Sequence, residues 1–143
     1  MTRTHVEGMR LIDAAPQRVF SALTDPAVVA AALPVLHSHE VLDDDHWQAK
    51  VKAPLPFAPA VTIHFEIVER RPPEHAEIRS RGGGARVASS FDLSPEGHAT
   101  RLRWQADLEL GGILAAFGGA GLEPLARRIS ERVLDRVAAV AGA

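Results

Sequence analysis

The segment from Thr100 to Leu110 constrains the fold more than any other part of the chain. Thr100, Leu102, Trp104, Ala106, Leu108 and Leu110 alternate with Arg101, Arg103, Gln105, Asp107 and Glu109. A period of two with one apolar face describes a strand that covers a core on one side and meets water on the other. The same rhythm recurs upstream. Val61, Ile63, Phe65 and Ile67 alternate with Thr62, His64 and Glu66, and Trp47, Ala49, Val51 and Ala53 alternate with Gln48, Lys50 and Lys52. Ala76, Ile78 and Ser80 alternate with Glu77, Arg79 and Arg81, and Val87, Ser89, Phe91 and Leu93 follow in the same phase.

Short breaks built from turn formers separate these runs: Asp43-Asp44-Asp45, Pro72-Pro73-Glu74, Gly82-Gly83-Gly84 and Pro95-Glu96-Gly97. Half-buried strands joined by short breaks form hairpins, so the pattern predicts an antiparallel meander. Six strands between about Leu36 and Leu110, with another near His5 to Asp13, make one curved sheet of seven.

Helices are expected at both ends of the meander. Pro16 suits a first helical turn and is followed by Val19, Phe20 and Leu23, while Asp25-Pro26 reads as an N-cap with Pro at the first turn of a second short helix that Pro34 stops. The last helix is the long one. Leu122, Leu125, Ile129, Val133, Val137 and Val140 recur every three to four residues, with Arg127, Arg128, Glu131, Arg132, Asp135 and Arg136 on the other side. Burying such a stripe is worth on the order of 10 kcal/mol gross. The inner face of the sheet is the surface expected to cover it.

Composition narrows the function. A chain of 143 residues with 46% apolar and 24% charged residues suits a single domain over 1–143, and nothing in it marks a linker or repeat. A formal net charge of -2 gives no broad attraction for phosphate, so nucleic-acid binding is not expected. The absence of cysteine excludes disulfides and Cys-ligated zinc or iron–sulfur sites. Met1 to Glu7 leads into an alternating segment rather than a signal peptide. The longest runs without Asp, Glu, Lys or Arg, between Asp25 and Glu40 and between Glu109 and Glu123, are too short to cross a membrane as helices. A soluble, cytoplasmic protein is the expectation.

Four stretches carry a likeness to known proteins: Ile12-Asp-Ala-Ala-Pro-Gln-Arg-Val-Phe20, Leu23-Thr-Asp-Pro26 with Leu33-Pro34, Thr100-Arg-Leu-Arg-Trp104, and Gly111-Gly112-Ile-Leu114 before the last helix. With the order of elements, they make the chain resemble the START/Bet v 1-like (SRPBCC) superfamily, most nearly the G-type subunit family of carbon monoxide dehydrogenase. The resemblance implies an α+β helix-grip fold, in which a seven-stranded curved antiparallel sheet wraps a long C-terminal helix and two short helices follow strand 1. It also implies a cavity for a hydrophobic ligand, and an accessory role beside a molybdenum hydroxylase complex of the carbon monoxide dehydrogenase type. Three features depart from that family. Val35-Leu36-His37-Ser38-His39 stands where a Gly-rich motif is usual, only Gly82-Gly83-Gly84 replaces a longer Gly-rich region, and the hydrophobic tail of many members has no counterpart before Ala143. Tail anchoring is therefore not carried over.

Candidate chemistry is sparse. Of the seven histidines, only His37 and His39 are expected to share a strand face at close spacing, and two imidazoles alone make a weak metal site; no metal or other cofactor is expected. Almost every ionisable strand residue falls on the outward phase. Ser80, Ser89, Thr100 and the indoles of Trp47 and Trp104 point inward with no evident activating partner, which argues against catalysis. The reading is a non-enzymatic binder of a lipid- or quinone-like molecule. The alternatives are a polyketide-cyclase-like or hydrolase-like enzyme on the same fold, or a ligand-free interaction domain.

The expected cavity wall comprises Ile63, Phe65, Ile78, Ser89, Phe91, Trp104, Leu108, Leu125 and Ile129. Ile113 and Phe117 stand at its mouth, in a charge-free, glycine-rich stretch that also contains Leu114. Pro54-Leu-Pro-Phe-Ala-Pro59 is a second uncharged element suited to the opposite lip. At most, weak peripheral membrane contact is expected, since the slight negative charge gives no electrostatic docking to anionic lipid.

Overall fold

The computed structural model describes residues 2–33, 36–52, 60–111 and 122–143. Its elements run β1 (Thr2–Ile12), α1 (Pro16–Leu23), α2 (Pro26–Ala32), β2 (Leu36–Val41), β3 (His46–Lys52), β4 (Ala60–Arg71), β5 (His75–Gly82), β6 (Ala85–Glu96), β7 (Ala99–Leu110) and α3 (Leu122–Ala141). The strands form one seven-stranded sheet in the order β1-β7-β6-β5-β4-β3-β2, with every neighbouring pair antiparallel. This is the expected helix-grip arrangement. The first strand starts earlier than its own alternation suggests, because β7 pairs with it from Thr2↔Leu110 to Ile12↔Thr100.

Local chemistry explains the turns. Gly83 and Gly84, at φ 60° and 84°, form the two-residue link between the paired Gly82 and Ala85, a backbone that side chains resist. Asp43 Oδ1 accepts from the Asp45 N–H at 2.9 Å and tightens the β2–β3 turn. Asp25 caps α2, its Oδ1 accepting from the Ala27 N–H at 3.0 Å, and Pro16 opens α1. Thr100 is fully buried and its hydroxyl donates to the Ala14 carbonyl at 2.7 Å, which pins the entry to α1 against the sheet.

The long helix departs from expectation in its seat and in its buried stripe. Its main backbone neighbours are α2, α1 and β1, not the middle of the sheet. Arg10 and Asp135 pair at 2.6 Å, and Arg127 donates to the Glu7 carbonyl at 2.9 Å, so polar contacts also tie α3 to β1. The buried residues are Ala126, Leu134, Val137 and Ala141, whereas Leu125 and Val140 are 48% and 38% exposed. The expected stripe misses Ala126, Leu134 and Ala141, because the buried face is rotated by about one residue from Leu125, Val133 and Val140. Leu134, Val137 and Ala141 join Val19, Phe20, Leu23, Ile12, Leu102 and Val6 in the main core, which therefore sits under α1 and the β1–β7 edge.

Candidate functional site

Because α3 is seated on α1, α2 and β1, part of the inner face in the middle of the sheet is left without close packing. A cavity of about 620 Å³ lies there. From β3 and β4 it takes Trp47, Val51, Val61, Ile63, Phe65 and Ile67, and from β5 and β6 Ile78, Ser80, Val87, Ser89 and Phe91. Strand β7 adds Trp104, Ala106 and Leu108, the α1–α2 region Leu23, Thr24, Asp25, Val29 and Leu33, and α3 Leu125, Ala126, Ile129, Ser130, Val133 and Leu134. Inward-phase residues supply the strand wall, as the pleat dictates.

Nine of the eleven expected site residues border this cavity: Ile63, Phe65, Ile78, Ser89, Phe91, Trp104, Leu108, Leu125 and Ile129. Ile113 and Phe117 lie outside the described residues, as do Leu114 and the Pro54–Pro59 segment. The α1–α2 residues and Ser130 are not legible in the sequence, since nothing in a short helix says which neighbour it will face. Ser80 is legible: it shares the inward phase of Ile78.

Aromatic rings shape both flanks. The Trp47 and Phe65 rings stack at 3.9 Å between centroids and 5° between planes, with His39 edge-on to Trp47 at 6.5 Å. On the other flank Phe91 is the cross-strand partner of Trp104. The Trp104 indole lies over Gly8 of β1, where a Cβ would come within 2.8 Å of its Nε1. A side chain at Gly8 would thus deny the ring its place.

The charged lining is Asp25, whose carboxylate caps α2, and Arg81, which is exposed at the β5–β6 hairpin end. No histidine, lysine or glutamate among the described residues borders the cavity. A second groove of about 350 Å³ between α1 and the end of α3 is lined by Gln17, Arg18, Ser21, Ala22, Asp25, Val140 and Ala141.

The histidines gather elsewhere. The β2–β3 register shifts between Leu36 and Ser38, so the alternation that would set His37 and His39 on one face is interrupted there; the His37 side chain is outside the described residues. His75, unremarkable in sequence, instead meets carboxylates from three strands. Its Nδ1 lies 2.6 Å from Asp92 Oδ1, and its Nε2 lies 3.3 Å from Glu77 Oε1 and 3.9 Å from Glu69 Oε2. Glu69, His75 and Glu77 are a potential donor set for a cation. Arg71 already pairs with Glu69 at 2.8 Å, and the His75 ring is hydrogen-bonded to Asp92 and Glu77. Partial burial pulls the His75 pKa down, but the hydrogen bonds to Asp92 and Glu77 outweigh it and leave it raised. His5, beside Glu7 and Asp107, and His46, beside Asp43 and Glu66, are raised by the same hydrogen bonding. All three clusters lie outside the cavity lining.

Comparison with known proteins agrees with this architecture. No curated protein matches the chain in sequence. A conserved protein from Geobacillus kaustophilus is similar in structure, with a TM-score of 0.82, 20% identity, and 94% of this chain and 93% of that chain covered. A START superfamily protein from Mycobacterium smegmatis aligns with a TM-score of 0.76 at 13% identity, over 96% of this chain and 97% of that one. The Zhui aromatase/cyclase from Streptomyces sp. R1128 aligns with a TM-score of 0.72 at 16% identity, over 99% and 94%. At such identities these likenesses concern the fold. The family model for polyketide cyclase/dehydrase and lipid transport matches residues 3–142, and the chain belongs to that family.

Proposed function

We propose that this protein binds a lipid- or quinone-like molecule between its sheet and α3, and does so without transforming it. The observation that carries the reading is the cavity of about 620 Å³ with an almost wholly apolar lining. That size falls within the roughly 300–1,000 Å³ of sites that bury drug-sized ligands. Binding without chemistry is supported by the lining itself. Acid–base work needs a titratable pair within reach of the substrate, and here the Asp25 carboxylate is engaged as a helix cap.

The resemblance to the G-type subunit of carbon monoxide dehydrogenase supports a place for this activity: an accessory protein that serves a molybdenum hydroxylase in maturation, membrane recruitment or handling of a quinone acceptor. In this reading it is a cytoplasmic protein whose membrane contact is weak and peripheral. None of the described helices is long and apolar enough to cross a membrane.

Fluorescence gives the direct test, because both tryptophans, Trp47 and Trp104, line the cavity. Titration with a short-chain ubiquinone should quench their emission saturably, and native mass spectrometry should show one molecule bound per chain. Absence of both signals, with no apolar species extracted from gently purified protein, overturns the reading. Conversion of the added compound would show an enzyme instead.

A further inference from the structure

We infer that the bound molecule is electrically neutral and carries a hydrogen-bonding oxygen that is held at Ser80 and Ser89; this deepens the binding reading above and rests on it. Among the inward-phase strand residues that line the cavity, these two alone are polar. Ser80 stands between its cross-strand partners Phe65 and Val87, and Ser89 between Ile78 and Ala106. The pairs Ser80↔Val87 and Ile78↔Ser89 make the two serines diagonal neighbours, with Cβ atoms about 7 Å apart. Ser130 adds a third hydroxyl from α3, on the far side of the cavity.

None of these hydroxyls takes part in a side-chain hydrogen bond among the described residues, and no buried side-chain polar atom there lacks a partner. The serine hydroxyls therefore face the cavity with their hydrogen-bonding capacity unspent. The contrast with Thr100 is informative. That inward hydroxyl is buried and consumed by the Ala14 carbonyl, so it serves the fold. Ser80 and Ser89 serve no such bond, and replacing either by the apolar residues of their neighbours would cost the fold nothing evident. A hydroxyl in an apolar wall is costly to desolvate unless something meets it.

Charge decides against an anionic ligand. The arginines nearest in sequence, Arg79, Arg81 and Arg86, stand in the outward phase, where Arg79 is opposite Glu66 and Arg81 is opposite His64 and Arg86. Asp25 places a carboxylate on the wall itself. A fatty acid with its carboxylate at Ser80 and Ser89 would bury that charge in the apolar wall, since Arg81, the one cation among the described lining residues, is exposed at the hairpin end, and at the α1–α2 end it would meet a like charge. A ketone, quinone, ester or alcohol meets neither penalty, and its oxygen can accept from one or both serines.

The test compares probes of one chain length: dodecane, 2-dodecanone, dodecanol and dodecanoate, titrated at pH 7.5 and followed by tryptophan fluorescence and native mass spectrometry. The ketone and the alcohol should bind about ten-fold more tightly than the carboxylate. In the S80A/S89A double variant the ketone and the alcohol should each bind about ten-fold more weakly while dodecane binds at least as tightly as before, which also shows that the variant is folded. Dodecanoate binding as tightly as dodecanol, or unchanged ketone and alcohol binding in the double variant, overturns this inference and leaves the cavity reading standing. Failure of all four probes, dodecane included, overturns the cavity reading and this inference with it.

Discussion

Truncation of two aliphatic residues on α3 separates a packed core from a cavity wall. Leu134 also borders the cavity but is 1% exposed and packed into the main core cluster, whereas Ile129, earlier on the same helix, is partly exposed and belongs to no core cluster. Leu134→Ala removes roughly three carbons, about 2.4 kcal/mol of transfer free energy at ~0.8 kcal/mol each. The hole left behind adds about 1–1.5 kcal/mol for some 50 Å³ at ~24 cal/mol per Å³, which gives a total of about 3.5 kcal/mol. Ile129→Ala loses contacts on one side only and merely enlarges a space already present, so about 1–1.5 kcal/mol is expected. At about 3–5 °C per kcal/mol for a chain of this size, Tm should fall by roughly 10–17 °C in the first variant and 3–7 °C in the second. Urea unfolding followed by circular dichroism measures both, with the slope m checked for constancy. Equal losses in the two variants would mean that Ile129 is packed like Leu134, and the space between α3 and the sheet would then be filled.

Three further outcomes follow from single contacts. Gly8→Ala should cost about 1–3 kcal/mol and shift the Trp104 emission maximum, because the new Cβ meets the indole at 2.8 Å; an unshifted spectrum with unchanged stability would refute that contact. Thr100→Val should cost about 1–3 kcal/mol in thermal or urea unfolding, since it leaves the buried Ala14 carbonyl without its 2.7 Å donor, and a neutral result would show that the bond contributes nothing. The raised pKa of His75 adds stability that is complete below its unfolded value near 6.5 and is lost as pH rises through the higher folded value. The stability gap between wild type and His75→Gln should therefore narrow as pH climbs from 6 to 9, and a gap that widens over that window contradicts the assignment.

Much of this architecture is legible in the residues. Alternation over Thr100–Leu110 and Val61–Ile67 sets the phase of β7 and β4, and phase alone assigns Ile63, Phe65, Trp104 and Leu108 to the cavity side. Turn chemistry at Gly83-Gly84 and the Asp25 cap are local, with partners within a few residues, so short-range rules suffice. The stripe of α3 is legible only in part. Periodicity finds Val137 but favours Leu125, Val133 and Val140 over Ala126, Leu134 and Ala141, because a helix with apolar residues on adjacent positions does not say which of two neighbouring rows the tertiary packing will bury.

What the sequence by itself determined is therefore which side of each strand is apolar, where each hairpin turns and where each helix begins. Those properties depend on neighbours along the chain. The tertiary structure alone decided the distance between the surfaces so defined. Seated on α1, α2 and β1, α3 stands off from β3–β6 and leaves a cavity where the same apolar patterns would equally well permit a solid core. It also decided that His75 collects Asp92, Glu77 and Glu69, since three strands must come into register before those groups meet. Periodicity carries direction but no separation, and separation between elements is a balance of packing contacts that no short segment contains.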